Sequence, residues 1–290
     1  MGWIARSPLA SAVSNAGGMG IIETSSGELD VIKQEIIKMR ELTDKPFGVN
    51  IAQAFVRDPG IAQFVIDQGV TFVTTSAGSP TRYTEQLKAA GLTVFHVVPT
   101  LHAAIKAVEA GVDGLIVEGG EGGGFKNPNE VSSMVLLPLV RSKVNVPIIA
   151  AGGFVDGSSM AAAFALGAEG VQLGTRMVSA AESPVHENWK NSIVKAKETD
   201  TVFLNKFHSP ALRALRTNKT TELEKQANEN IMPQFGNAQA LYFGGDMEAA
   251  IPLSGQVAGR IDEIKPVSQI LSEISAEFEQ VLGHLSSQYG

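Results

Sequence analysis

A chain of 290 residues with 44% hydrophobic side chains holds enough apolar material for one large domain or a domain with a smaller appendage, which excludes a disordered or miniature protein. Its 30 acidic residues outnumber its 23 lysines and arginines, a net charge of −7, so no basic stripe is available to a nucleic acid. Having no cysteine excludes disulfides, thiolate metal sites and a thiol nucleophile; with no signal-like leader and no apolar stretch of spanning length, the chain reads as cytoplasmic with no membrane partner.

In chain order, Pro8 to Ala16 has helical character with no strand before it. A strand is expected at Gly18 to Ile22, then a helix opened by a capping box of Ser25 and Glu28 that buries Leu29, Ile32, Ile36 and Met39. The runs Phe47 to Ile51, Thr71 to Ser76, Thr93 to Val98, Gly114 to Val117, Pro147 to Ala151 and Gly170 to Leu173 follow, starting 21 to 33 residues apart, the length of a strand plus a helix. Asp58-Pro59 and Ser79-Pro80 supply an acceptor oxygen and a first-turn proline for two of the helices. Gly69, Gly91, Gly111 and Gly167 fall where apolar helical patterns stop.

Such alternation makes a parallel sheet, open or closed. Seven strands are one short of the eight in a TIM-type (β/α)8 barrel, so the expectation is an α/β fold of that kind lacking its first strand at the N-terminus; an open seven-stranded sheet is the alternative. Residues 1–188 and 250–290 form this barrel. Residues 189–249 read as a helical appendage, with charged helices at Lys190 to Lys197 and Lys219 to Asn230 and no further β-branched run. Val267 to Leu282 reads as an amphipathic terminal helix through Ile270, Ile274, Phe278 and Leu282.

Chemistry in a parallel barrel sits where strands end. The strand Gly114 to Val117 runs into Glu118-Gly119-Gly120-Glu121-Gly122-Gly123-Gly124-Phe125, whose glycines leave backbone amides open to a close ligand. Gly152-Gly153 and Gly174-Thr175 are glycine turns where barrels hold a phosphate, and Asn50 ends its strand with an amide able to donate and accept. Glu118 and Glu121 form a carboxylate pair on the loop, unless Glu121 is merely solvated. No two histidines have metal-ligand spacing, so no metal is expected, and His96, inside a strand, reads as a hydrogen-bonded core histidine.

Met1-Gly2-Trp3-Ile4-Ala5, Ser14-Asn15-Ala16-Gly17-Gly18, Lys45-Pro46-Phe47-Gly48-Val49-Asn50, Ala150-Ala151-Gly152-Gly153, Gln172-Leu173-Gly174-Thr175-Arg176 and Ser254-Gly255-Gln256 occur in this order. Together they resemble the nitronate monooxygenase family, once called 2-nitropropane dioxygenases, which includes flavin-dependent enoyl-acyl-carrier-protein reductases. The resemblance implies an FMN-binding (β/α) barrel with a helical insertion, preceded by a strand and turn ahead of Met1. It implies that Asn50, Glu118 and Gln172 contact the isoalloxazine or ribityl chain, that Gly123 approaches from the rim, and that Gly152, Gly153, Gly174 and Thr175 hold the phosphate. Gln256 belongs to the family's C-terminal return to the cofactor.

One departure bears on activity. Family loops commonly read Glu-Ala-Gly-Gly-His, and Phe125 stands where that His would be. The catalytic base is therefore unknown, which suits an alkyl nitronate, already deprotonated and oxidised with O2, better than a neutral nitroalkane. Lys126 is a candidate for the positive charge a nitronate prefers. The alternatives are an NAD(P)H-dependent reductase of quinones or enoyl thioesters, with water or Tyr83 as proton donor, and a non-catalytic flavin-binding barrel. A small-molecule substrate is expected; the electron donor and a homo-oligomeric state stay open.

Overall fold

The computed structural model describes residues 1–25 and 27–290. Its main layer is a curled parallel sheet built from β1 (Gly20–Glu23), β2 (Phe47–Ala52), β3 (Phe72–Ser76), β4 (Thr93–Val98), β5 (Gly114–Glu118), β7 (Ile148–Ala151) and β8 (Gly170–Gln172), hydrogen-bonded in that order. A three-residue strand, β6 (Gly124–Lys126), leaves this sheet from the connection after β5. The seven expected strands are all present, with ends shifted by one or two residues.

Helices α1 (Ser7–Asn15), α2 (Leu29–Leu42), α3 (Ile61–Asp67), α4 (Thr84–Ala89), α5 (Leu101–Glu109), α6 (Ser133–Arg141), α7 (Gly157–Ala165) and α8 (Thr175–Val178) alternate with the strands. Between these helices and the sheet lies the largest core, where Ile32, Ile36 and Met39 of α2 meet Ile22, Val49 and Ile51. Residues of opposite parity face inward, where Phe95, Ile116 and Ala151 pack with Phe72, Val97 and Ile149. A β-carbon on Gly114 would run into the Phe95 ring, so this glycine makes room for the ring that plugs the interior.

Helix ends follow the sequence in part. Gly69, Gly91, Gly111 and Gly167 all have positive φ, as helix-terminating glycines require. Ser79-Pro80 starts a 3-10 turn at Pro80–Arg82, and α4 begins only at Thr84; Asp58 holds a turn through the Gly60 amide before α3 begins at Ile61. The expected capping box at Ser25 does not form: its amide donates to Glu23 at 2.6 Å and its hydroxyl donates to the same carboxylate. The buried Glu23 carboxylate takes both donors, and α2 starts without a side-chain cap.

The segment 189–249 corrects the expectation of a purely helical appendage. Besides α9 (Glu187–Val194), α10 (Asn218–Glu224) and α11 (Ala238–Tyr242) it contains β9 (Thr201–Leu204) and β10 (Ala211–Leu215), an antiparallel hairpin. β10 also pairs with β6, Ala211 opposite Lys126 and Arg213 opposite Gly124. This segment has a small core of its own around Val202, Leu204, Leu212, Leu223 and Ile231. α12 (Val267–Tyr289) closes the chain; Ile270 and Ile274 are buried, the Phe278 ring meets Phe164 at 5.1 Å with the planes tilted by 58°, and Leu282 is exposed. Among the described residues no helix is long and apolar enough to cross a membrane.

Candidate functional site

Strand alternation decides which side chains reach the mouth of the curled sheet. Ile22, Val49, Val73 and Val117 pack outward in the core under the helices, so Glu23, Asn50, Thr74 and Glu118, one residue on, face inward; Glu23 and Glu118 end their strands, whereas β2 and β3 run two residues past Asn50 and Thr74, which corrects the expectation that Asn50 ends its strand. Gln172 ends β8 on the inner face and is exposed. The registers Glu23 with Asn50, Asn50 with Thr74, Glu118 with Ala151 and Ala151 with Gln172 place these side chains around one rim.

Asn50 is oriented by its neighbours. Its Oδ1 accepts from the hydroxyls of Thr74 at 2.9 Å and Ser76 at 3.3 Å, which leaves its amide nitrogen as the group on offer. Glu23, nearly sealed from solvent, accepts from Arg6 Nε at 2.8 Å.

The glycine loop is far from floppy. Lys126 donates to Glu118 Oε1 at 2.5 Å and to the Gly119 carbonyl at 3.3 Å, with its side chain only 4% exposed. Lys126 is therefore no solvated loop lysine, and its charge is spent on Glu118. A β-carbon at Gly122 would collide with this pair, so glycine there is what admits it. Glu121 does not join Glu118 as a carboxylate pair: it accepts from the amide and hydroxyl of Ser133 at the start of α6, where a carboxylate complements the helix N-terminus. Arg213 of β10 donates to the Gly120 carbonyl and to Glu130, both at 2.7 Å, and so ties the hairpin to the loop.

The two glycine turns and the C-terminal return converge beside this loop. A β-carbon at Gly123 would strike the backbone of Ser254 and Gly255, and one at Gly152 would strike the Gly119 carbonyl. Thr175 Oγ1 accepts from the Gly255 amide at 2.9 Å, while the amide of Gln256 donates to the Glu121 carbonyl at 2.9 Å. The amides of Gly153 and Gly174 enter no backbone hydrogen bond among the described residues. A β-carbon at Gly174 would meet nothing within 4 Å. Open space next to unspent amides suits an anion such as a terminal phosphate.

Two sequence candidates lie elsewhere. His96 shares its parity with Val94 and Val98 and faces the helix layer, where its Nδ1 pairs with Thr75 Oγ1 at 2.7 Å. Burial, opposed by a hydrogen bond to the Gly78 backbone, pushes its pKa down to about 4. Tyr83 is buried in the same outer core with its hydroxyl unpartnered among the described residues. Sequence reasoning missed Arg6, Glu23, Thr74 and Arg213. Glu23 could have been found as the inward residue that follows the apolar run to Ile22; Arg213 gave no local signal, since its partners lie more than 80 residues away.

Comparisons with known proteins show the family of the chain. The family model described as nitronate monooxygenase matches residues 1–60 and 53–277. A solved structure, FabK from Thermotoga maritima, is 41% identical with a TM-score of 0.93 and covers 99% of this chain and 93% of that one. A Rhodococcus jostii protein named (3aS,4S,5R,7aS)-5-hydroxy-7a-methyl-1-oxo-octahydro-1H-indene-4-carboxyl-CoA dehydrogenase is 36% identical over 228 residues, 79% of this chain. The chain spans 64% of that relative's length. A probable nitronate monooxygenase of Staphylococcus saprophyticus is 32% identical over 242 residues, 68% of each chain.

Proposed function

The chain belongs to the nitronate monooxygenase family, and from that premise we propose that it is an FMN-dependent oxidoreductase acting on a neutral substrate whose reacting carbon is conjugated to a thioester carbonyl. The curled sheet is read as a TIM-type barrel with the cofactor across its mouth. Asn50, Glu118, Gly123, Gln172 and Gln256 would line the ring and ribityl chain, and Gly152, Gly153, Gly174 and Thr175 the phosphate. The space beside Gly174 and the free amide nitrogen of Asn50 support that fit. Bound there, the flavin would supply hydride transfer, with NAD(P)H as electron donor.

The choice of a neutral substrate rests on one observation: among the described residues, three cations at the loop and strand ends, Arg6, Lys126 and Arg213, are each already paired, with Glu23, Glu118 and Glu130. An anionic nitronate would find no spare charge in them, whereas a thioester carbonyl needs only hydrogen-bond donors. The R. jostii relative, named for a CoA thioester, supports the same class. Nitronate oxidation with O2 is the second reading, favoured by Phe125, because a nitronate requires no proton abstraction and this ring can perform none.

The test is anaerobic rapid mixing of FMN-loaded protein with NADH or NADPH, then with crotonyl-CoA or ethylnitronate. Bleaching of the flavin by a nicotinamide donor and its recovery on adding crotonyl-CoA is the expected result. Bleaching by ethylnitronate alone would overturn it in favour of the second reading. No change with any partner would leave a non-catalytic flavin-binding barrel.

A further inference from the structure

Three phenylalanines meet over the mouth although they come from distant segments. Phe55 lies in the turn that follows β2, Phe125 in β6 within the β5 to β7 connection, and Phe235 in the insertion. The Phe55 and Phe125 rings are 5.6 Å apart and tilted, and Phe125 and Phe235 are 6.2 Å apart at 23°, close to parallel. β2 and β5 are separated by β3 and β4, roughly 14 Å along the sheet at about 4.8 Å per step. Side chains from their loops touch only by reaching across the opening.

Two of these rings are not core, and the third, Phe235, packs in part against the cluster of the insertion. Phe55 is 39% and Phe125 37% exposed, so they offer apolar surface to whatever enters beside them. The neighbouring Lys126 and Arg213 are buried against carboxylates and lend the patch no free charge. The backbone of β6 alternates, so Lys126 turns in to Glu118 while Phe125 turns to Phe55 and Phe235. One strand thus fixes both the polar floor and the apolar cover.

We propose that Phe55, Phe125 and Phe235 form an aromatic roof that grips the apolar acyl part of the substrate and selects for a long or bulky acyl group. This inference rests on the thioester reading above for the nature of the ligand's head. The roof binds by contact area, so each additional methylene buried under it tightens binding about fourfold until the rings are covered. Phe125 replaces a proton-transferring side chain with contact surface. Phe235 makes the insertion a contributor to specificity.

The experiment is calorimetric titration of the FMN-loaded protein with two unreactive saturated ligands, butyryl-CoA and dodecanoyl-CoA, in the parent, in Phe55→Ala/Phe125→Ala and in Phe235→Ala. The parent should bind dodecanoyl-CoA at least tenfold more tightly than butyryl-CoA. The double variant should lose most of that preference, its dodecanoyl-CoA affinity falling at least tenfold more than its butyryl-CoA affinity, and Phe235→Ala should lose part of it. Phe55 and Phe125 are exposed and Phe235 packs only in part against the small core of the insertion, so Phe235→Ala gives an independent reading if the double variant does not fold. A parent without the preference, or variants that keep it, would overturn the roof; so would concentration-dependent self-association lost in the variants, which would make a second copy the occupant. Turnover of crotonyl-CoA is followed separately: its absence alongside an intact length preference would overturn the thioester-reduction reading and leave the roof standing.

Discussion

Lys126 carries a charge into a space that leaves 4% of its side chain in contact with solvent, and only Glu118 makes that tolerable. Removing one partner strands the other. Lys126→Met should therefore destabilise the protein by about 1–3 kcal/mol, and adding Glu118→Gln should recover part of the loss. Denaturant midpoints of the two single variants and the double variant check this; a thermally neutral Lys126→Met would mean that the loop is held by its backbone alone. His96 gives a second measurable effect. Its pKa is about 4 in the folded protein against an ordinary 6.5, so between those values the unfolded chain binds the extra proton. Stability should then fall as pH drops from 6.5 to about 4, by on the order of 3 kcal/mol from this residue. His96→Gln should show a shallower decline over that window. Parallel curves for the two proteins would assign the acid sensitivity to other groups. At this scale the sequence made His96 legible as a core residue, but Lys126 read as a charge on offer to a nitronate because its pairing with Glu118 follows from a strand, β6, whose partner lies in the insertion.

Elements were legible wherever the signal is local. Buried parallel strands are nearly continuous apolar runs, and the glycines at 69, 91, 111 and 167 mark helix ends whatever the tertiary context. The hairpin β9 and β10 was not legible. Thr201 to Leu204 is four residues long, and β10 reads Ala-Leu-Arg-Ala-Leu, with an alanine-rich pattern that suits a helix equally well. What makes it a strand is β6, 85 residues earlier at the Lys126 to Ala211 pairing. Arg213 is the anchor of that pairing, 5% exposed and bonded to the Gly120 carbonyl and Glu130. Arg213→Met would leave the Gly120 carbonyl without that donor and free Glu130. Amide hydrogen exchange in residues 119–130 should accelerate more than tenfold, with no comparable change in α2. Equal exchange in variant and parent would show that the β6 to β10 ladder needs no side-chain tether.

At the scale of the whole molecule, the mouth is where Glu23 of β1, Asn50 of β2, Glu118 of β5 and Gln172 of β8 meet the 254–256 return. A ligand seated there contacts segments that span most of the chain, so it binds the folded state and not the unfolded one. FMN at about 100 times its dissociation constant should then add about 2.7 kcal/mol to stability and raise the melting temperature by several degrees. Gly174 allows the assignment of the phosphate corner to be tested without disturbing the protein itself. Its φ of −109° suits any residue, and a side chain there meets nothing within 4 Å, so Gly174→Asp should fold with the parent's melting temperature in the absence of flavin. Its carboxylate would occupy the open space proposed for the phosphate and repel it. The variant should therefore gain no stability from FMN and purify colourless, whereas Gly174→Ala, which adds bulk without charge, should keep part of the increment. Full FMN stabilisation of Gly174→Asp would move the phosphate away from the Gly152-Gly153 and Gly174-Thr175 turns, and with it the orientation of the ring across the rim.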